Sequence, residues 1–183
     1  SSCTAMALIT EAGGNAHLWK TGHSHMKAKL WEMQAPLAGE MSGHIFIADD
    51  YYGFDDALFV AVRLISFMSR RKQETGKTLT DFIDALPVIF ATQECHIACP
   101  DDKKFGVIET LAHAFSDALP AKQMNLTDGV RITSEKGWCL IRASNTEAAL
   151  VVRAEGQDAE SLAGFITLIK TQLANVGLVW DGP

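Results

Sequence analysis

The sequence predicts two units in series: an α/β domain over residues 1–90, then an α+β domain with an antiparallel sheet and helices on one face over residues 91–183. Three observations carry this. Before Pro87, short apolar runs alternate with helix-period segments in the strand, helix, strand order that builds α/β domains. Beyond Pro87, extended stretches follow one another at hairpin spacing, so strands outnumber helices. No segment repeats another.

Residues 3–10 read as a helix stopped by Gly13 and Gly14, and residues 16–19 as a buried strand. After Lys20, Thr21, Gly22, His23 and Ser24, the apolar positions Met26, Leu30 and Met33 mark a helix that Pro36 breaks. A glycine-bearing loop then leads into residues 44–48, whose unbroken apolar run predicts an interior strand. Asp55 and Asp56 open a longer helix with Leu58, Ala61, Val62, Ile65 and Met68 on one apolar face. The second unit begins near Ala91. In it Cys95, Ile97 and Cys99 alternate as a strand, and Phe105, Ile108, Ala112 and Phe115 mark a helix. Strands follow at 130–133, 138–143 and 150–154, then a helix with Leu162, Phe165, Ile166, Ile169 and Leu173 on one face.

Composition narrows the function classes. With 183 residues, 48% of them hydrophobic and 21% charged, the chain has the makings of a real core and falls among globular proteins. Its longest apolar stretches, around Val151 and Ile166, are broken by charge before the roughly 18 to 20 residues a membrane span needs, so no membrane segment is expected. The first residues lack a basic stretch followed by an apolar one, which reads as a cytoplasmic protein, and the four cysteines read as thiols. A net charge of −6 without a lysine or arginine stripe argues against nucleic acid. An anionic ligand would need arginines and backbone amides that converge locally.

Two loops offer such chemistry. Gly39, Glu40, Met41, Ser42, Gly43 and His44 set a carboxylate, a hydroxyl and an imidazole between glycines, just before a strand. A carboxylate accepts hydrogen bonds from adjacent sugar hydroxyls, and the glycines let backbone approach, so the loop suits polyols. A solvated turn explains the same residues. At Arg142, Ala143, Ser144, Asn145 and Thr146 a strand ends in a guanidinium, hydroxyls, an amide and consecutive N–H groups, which suit a phosphate. A hairpin whose Ser and Asn cap their own backbone is the alternative. Arg153, on the returning strand, lies further from the turn. A metal site from His23, His25 and His44, or from Cys95, His96 and Cys99, is disfavoured by spacing, so no metal ligand is assigned. Thr75, Gly76, Lys77 and Thr78 resemble the end of a phosphate-binding loop, but Arg71 stands where that motif needs its first glycine.

KTGHS at 20–24, GEMSGH at 39–44, GFDD at 53–56, DGVR at 128–131 and RASNT at 142–146, in that order, resemble the α-D-phosphohexomutases, and their phosphomannomutase/phosphoglucomutase branch. Met41 within GEMSGH favours that branch over the glucosamine one. The resemblance implies the third and fourth domains of a four-domain enzyme. The third would be a mixed-sheet α/β domain lacking its first strand, the fourth similar in fold to the TATA-box-binding protein. It implies an intramolecular phosphotransferase of the isomerase class that interconverts hexose 1-phosphate and hexose 6-phosphate through a hexose 1,6-bisphosphate. It further implies that His23, Glu40, Met41, Ser42, Gly43 and His44 bind the sugar, with His44 as candidate acid or base. Arg142, Ala143, Ser144, Asn145, Thr146 and Arg153 would hold the non-reacting phosphate. No counterpart of the family's phosphoserine loop or magnesium loop is present, so Mg²⁺ and the two N-terminal domains are expected in the parent polypeptide, and this chain alone is expected to be inactive. Ala148 replaces a proline common at that place in the family, which loosens the turn. A free-standing sugar-phosphate binding module is the other reading.

Overall fold

Ser2 opens the first helix, α1 (Cys3–Glu11), by accepting the Thr4 N–H at 3.2 Å. The computed structural model describes residues 2–182, so the end residues Ser1 and Pro183 of the expected domains lie outside the described residues. Contacts divide the chain into two compact units, one of His17–Pro87, the other of Val88–Pro183 together with Ser2–Ala16.

In the first unit, α2 (His23–Glu32) is followed by an antiparallel pair, β1 (Leu37–Gly39) and β2 (Ile45–Ile47), registered Leu37 to Ile47 and Gly39 to Ile45. Phe46 of β2 is fully buried and Leu30 of α2 nearly so, which gives this unit its apolar centre. The long helix α3 (Ala57–Thr75) starts where the Asp56 carboxylate accepts the Phe59 N–H at 2.9 Å and the Tyr51 hydroxyl at 2.7 Å. Those bonds, the Phe59 one foremost, hold the Asp56 carboxyl below its usual range. Gly76 ends the helix at φ 74°, a left-handed position that suits glycine. A short helix, α4 (Leu79–Asp84), closes the unit behind a reciprocal Thr78 and Asp81 cap.

Two expectations are corrected here. Residues 16–19 form no strand. An apolar run becomes a strand only with a hydrogen-bonding neighbour; instead the Trp19 ring receives the Lys29 ammonium at 4.2 Å. The sheet of this unit is thus the antiparallel β1 and β2 pair among the described residues. The apolar face of α3 is real in pattern but lies open, with Leu58 83%, Val62 62% and Ile65 69% exposed. Periodicity reports a face suited to burial without saying what buries it.

The second unit is an antiparallel sheet under two helices. Its strands are β3 (Phe90–Ala91), β4 (Cys95–Ala98), β5 (Met124–Asn125), β6 (Val130–Ser134), β7 (Gly137–Ala143) and β8 (Ala149–Gly156), ordered β3-β8-β7-β6-β5 with β4 also paired to β8. Helices α5 (Lys104–Ala118) and α6 (Ala159–Asn175) pack on one face, where Leu111, Phe115, Phe165, Ile169 and Leu173 meet Val130, Ile132, Cys139, Ile141, Leu150 and Val152. Burial there pushes the Cys139 thiol up to about 12. All four cysteines are free thiols.

Strand alternation turns Arg131, Trp138, Arg142, Arg153 and Glu155 to the opposite face. On that face the Arg131 guanidinium stacks 3.8 Å from the Trp138 ring and donates to the Cys3 thiol of α1 at 3.5 Å. Gly129, at φ +78°, lies so close to β7 that a Cβ would collide with the Ile141 carbonyl oxygen and stand 2.6 Å from the Arg142 Cα. The glycine of DGVR therefore lets β6 begin flush against the residue that carries the Arg142 side chain.

Candidate functional site

The loop joining β1 to β2 spans residues 40–44. It is closed by the Glu40 N–H donating to the His44 carbonyl at 2.8 Å and the Gly43 N–H donating to the Glu40 carbonyl at 3.1 Å. Gly43 takes φ 93°, which keeps the loop this short. Met41, Ser42, Gly43 and His44 are exposed, Glu40 half-buried. The Glu40 carboxylate turns back onto α2, where its Oε1 accepts the Gly22 N–H at 2.6 Å. Gly22 is the N-cap of α2 and His23 its first residue, so the negative charge of Glu40 rests at the positive end of that helix. The sequence segments around His23 and Glu40 are thus joined within one unit.

His44 has a partner that the sequence reading did not assign. Its Nδ1 lies 2.7 Å from Asp55 Oδ2. With the carboxylate accepting from Nδ1–H, the Nε2 atom is left as the proton-accepting position. The signal was present in the doubled aspartates of GFDD. Asp56 alone caps α3, while Asp55 pairs in a bridge with Phe46 and reaches the imidazole.

In the second unit the turn at 144–148 links β7 to β8. Arg142, only 8% exposed, makes contacts that are long for a guanidinium: 3.4 Å to the Ala143 carbonyl and 4.0 Å to the Asp128 carboxylate. Charge-assisted bonds run at about 2.7 to 2.9 Å, so this buried cation keeps donor capacity for an anion. Ser144 Oγ accepts the Thr146 N–H at 3.4 Å and the Glu147 N–H at 3.2 Å, which is the self-capping turn geometry. Both are weak bonds, and they show two backbone amides converging on one oxygen position.

Arg153 lies across from Leu140, whereas Arg142 lies across from Val151, so Arg153 is about 7 Å further along the strand from the turn. Its guanidinium donates to Glu155 at 3.2 Å, and Glu155 also accepts the Trp138 indole N–H at 2.8 Å. Two further residues support the turn: His96, weighed from the sequence only as a disfavoured metal ligand, and Lys104, which was not singled out. His96 Nδ1 lies 2.6 Å from the Glu147 carboxylate, and the Lys104 ammonium donates to the carbonyls of Ser144 at 2.7 Å and Glu147 at 3.0 Å. Nothing in the local sequence marks Lys104 as a support of the turn, because the two carbonyls it holds lie about forty residues away.

Among the described residues, no three histidine, cysteine, aspartate or glutamate side chains stand close enough to hold a metal ion. The residues present therefore do not fit a Mg²⁺ site. Among the same residues no helix is long and apolar enough to cross a membrane.

Comparison with known proteins bears on both units. Residues 1–89 match the family described as phosphoglucomutase/phosphomannomutase, alpha/beta/alpha domain III, and residues 94–170 match the phosphoglucomutase/phosphomannomutase C-terminal domain. A phosphomannomutase/phosphoglucomutase of Pseudomonas aeruginosa is 40% identical over 93% of this chain and 36% of its own length. A phosphoglucomutase of Neisseria gonorrhoeae is 34% identical over 94% of this chain and 36% of its own length. A crystal structure of a phosphoglucomutase/phosphomannomutase family protein from Burkholderia thailandensis superposes with a TM-score of 0.83 at 32% identity, covering 98% of this chain and 37% of that one. The chain thus spans a little over a third of the length of the relatives it matches.

Proposed function

We infer function from one premise: this chain belongs to the phosphoglucomutase/phosphomannomutase family, as its domain III followed by its C-terminal domain. On that premise it is part of a phosphohexomutase that interconverts hexose 1-phosphate and hexose 6-phosphate through a hexose 1,6-bisphosphate. This part recognises the sugar and anchors the phosphate that is not reacting. The phosphoserine and Mg²⁺ belong to other segments of the whole enzyme, where the metal would offset charge on the phosphoryl group in transfer.

The residues here would bind, orient and move a proton. Glu40 Oε1 is taken by Gly22, which leaves Oε2 to accept from sugar hydroxyls, with Ser42 beside it and His23 at the head of the same helix end. His44, its Nδ1 against Asp55, presents Nε2 to a hydroxyl as acid or base. Arg142, the Ser144 hydroxyl and the amides of residues 145–146 would take the distal phosphate, the Ser144 N–H being engaged by the Ala149 carbonyl at 2.9 Å. Anchoring one phosphate makes transfer at the other effectively intramolecular. The observation that carries the reading is the buried Arg142, with long protein contacts beside a turn whose amides converge. A free-standing binding module is not favoured, because relatives aligned along more than nine-tenths of this chain carry mutase names.

Titration of the ¹⁵N-labelled chain with glucose 6-phosphate tests it. Amide shifts are expected at Ser144 to Thr146 and at Glu40 to His44, and Arg142→Lys should weaken binding roughly tenfold by losing the forked contact. Unmoved amides at both loops under millimolar ligand would refute the assignment. The chain alone should show no turnover of mannose 1-phosphate with a bisphosphate primer.

A further inference from the structure

Lys104 opens α5 and is buried, 5% exposed, far from any surface role a lysine ordinarily plays. Its ammonium makes three short contacts: 2.7 Å to the Ser144 carbonyl, 3.0 Å to the Glu147 carbonyl and 2.6 Å to the Asp101 carboxylate. An ammonium has three protons, so these partners use all of them and none remains for a ligand. Burying this charge is costly, and the protein recovers the cost by tying one helix end to both ends of one turn.

We propose that Lys104 is the positioning residue of the phosphate turn, setting the peptide planes at 144–145 and 147–148 so that their amides face the bound anion. The proposal rests on the phosphate-binding reading of residues 142–146. Its physical basis is the trans peptide, in which C=O and N–H point in opposite directions, and no cis bond occurs among the described residues. Drawing the Ser144 carbonyl toward Lys104 directs the Asn145 N–H to the other side of the turn. Drawing in the Glu147 carbonyl does the same for the Ala148 N–H. The turn's base is closed by the Ser144 N–H donating to the Ala149 carbonyl at 2.9 Å and the Ala149 N–H donating to the Glu147 carbonyl at 2.8 Å, but its bonds to Ser144 Oγ are long, at 3.2 and 3.4 Å, and it has Ala148 where a proline would fix the backbone. The fixed charge also adds positive potential behind the site, while Asp101 limits its spread.

The test uses the full chain and inorganic phosphate as probe. Lys104→Met keeps the aliphatic stem and removes the ammonium. Its phosphate affinity should fall about ten- to a hundredfold, as for loss of charge-assisted bonds, with the Asn145 and Ala148 amide resonances displaced before any phosphate is added. Lys104→Arg, which retains charge and donors, should recover part of the affinity; a purely structural lysine would give variants whose affinity follows their thermal midpoint instead. Should Lys104→Met fail to fold, Lys104→Gln, which can still donate to one carbonyl, is expected to bind with intermediate affinity. Native-like phosphate affinity in a folded variant lacking the ammonium overturns the proposal alone. Failure of the native chain to bind phosphate overturns the turn reading and this proposal with it.

Discussion

His44 illustrates how much one contact decides. An exposed imidazole in a loop rotates and exchanges its proton between two nitrogens, whereas the 2.7 Å contact to Asp55 favours one tautomer and one ring orientation. Asp55→Asn should therefore redistribute the tautomers, readable in the ring ¹⁵N shifts of His44, and in an enzyme carrying this segment it should lower kcat by roughly ten- to a hundredfold with little change in KM. Equal tautomer populations in the two proteins would remove Asp55 from the site. The motif GEMSGH was legible because a carboxylate, a hydroxyl and an imidazole stand within six positions. The Asp55 role was not, since an aspartate before a helix reads first as a cap, and Asp56 supplies that cap. Arg142 and Ser144 were likewise legible as donors, while Lys104 was an unremarked lysine among four charged residues at 101–104.

At the level of elements, the helices followed from local chemistry. The Asp56 cap of α3 fixes its start, and because the folded carboxyl is held below its usual range, the cap contributes stability that is present above the unfolded value near 4 and is lost as pH falls through the folded one. Asp56→Asn should accordingly lower the thermal midpoint at neutral pH, and the gap from native should close as the solution is acidified below about pH 4. A gap that stays constant with pH would mean the cap works through shape alone. Strands were harder. Residues 138–143 and 150–154 are largely apolar runs at hairpin spacing and were found, with β7 and β8 extending slightly beyond them. Residues 16–19 are apolar but for His17 and pair with no strand among the described residues, and β1, β3 and β5 are too short to leave a period.

Across the whole molecule, the two units bury their apolar residues very differently. Ile169 of α6 is fully buried under the sheet, so Ile169→Ala should cost about 2 to 5 kcal/mol in urea unfolding. Ile65 of α3 is 69% exposed, so Ile65→Lys should leave stability within about 0.5 kcal/mol and lessen self-association by breaking an apolar patch. A large loss at Ile65 would show that face to be covered. The amino-acid order by itself determined the series of α/β and α+β units, most helices, and which residue types could meet a sugar or a phosphate, because periodicity and motif act over a few neighbouring positions. Only the tertiary structure decided that Glu40 would rest on Gly22, that Asp55 would hold His44, and that Lys104 would clamp the turn at Ser144, partners 18, 11 and 40 residues apart. Such contacts depend on where the chain returns to itself, and no local pattern of residues encodes that return.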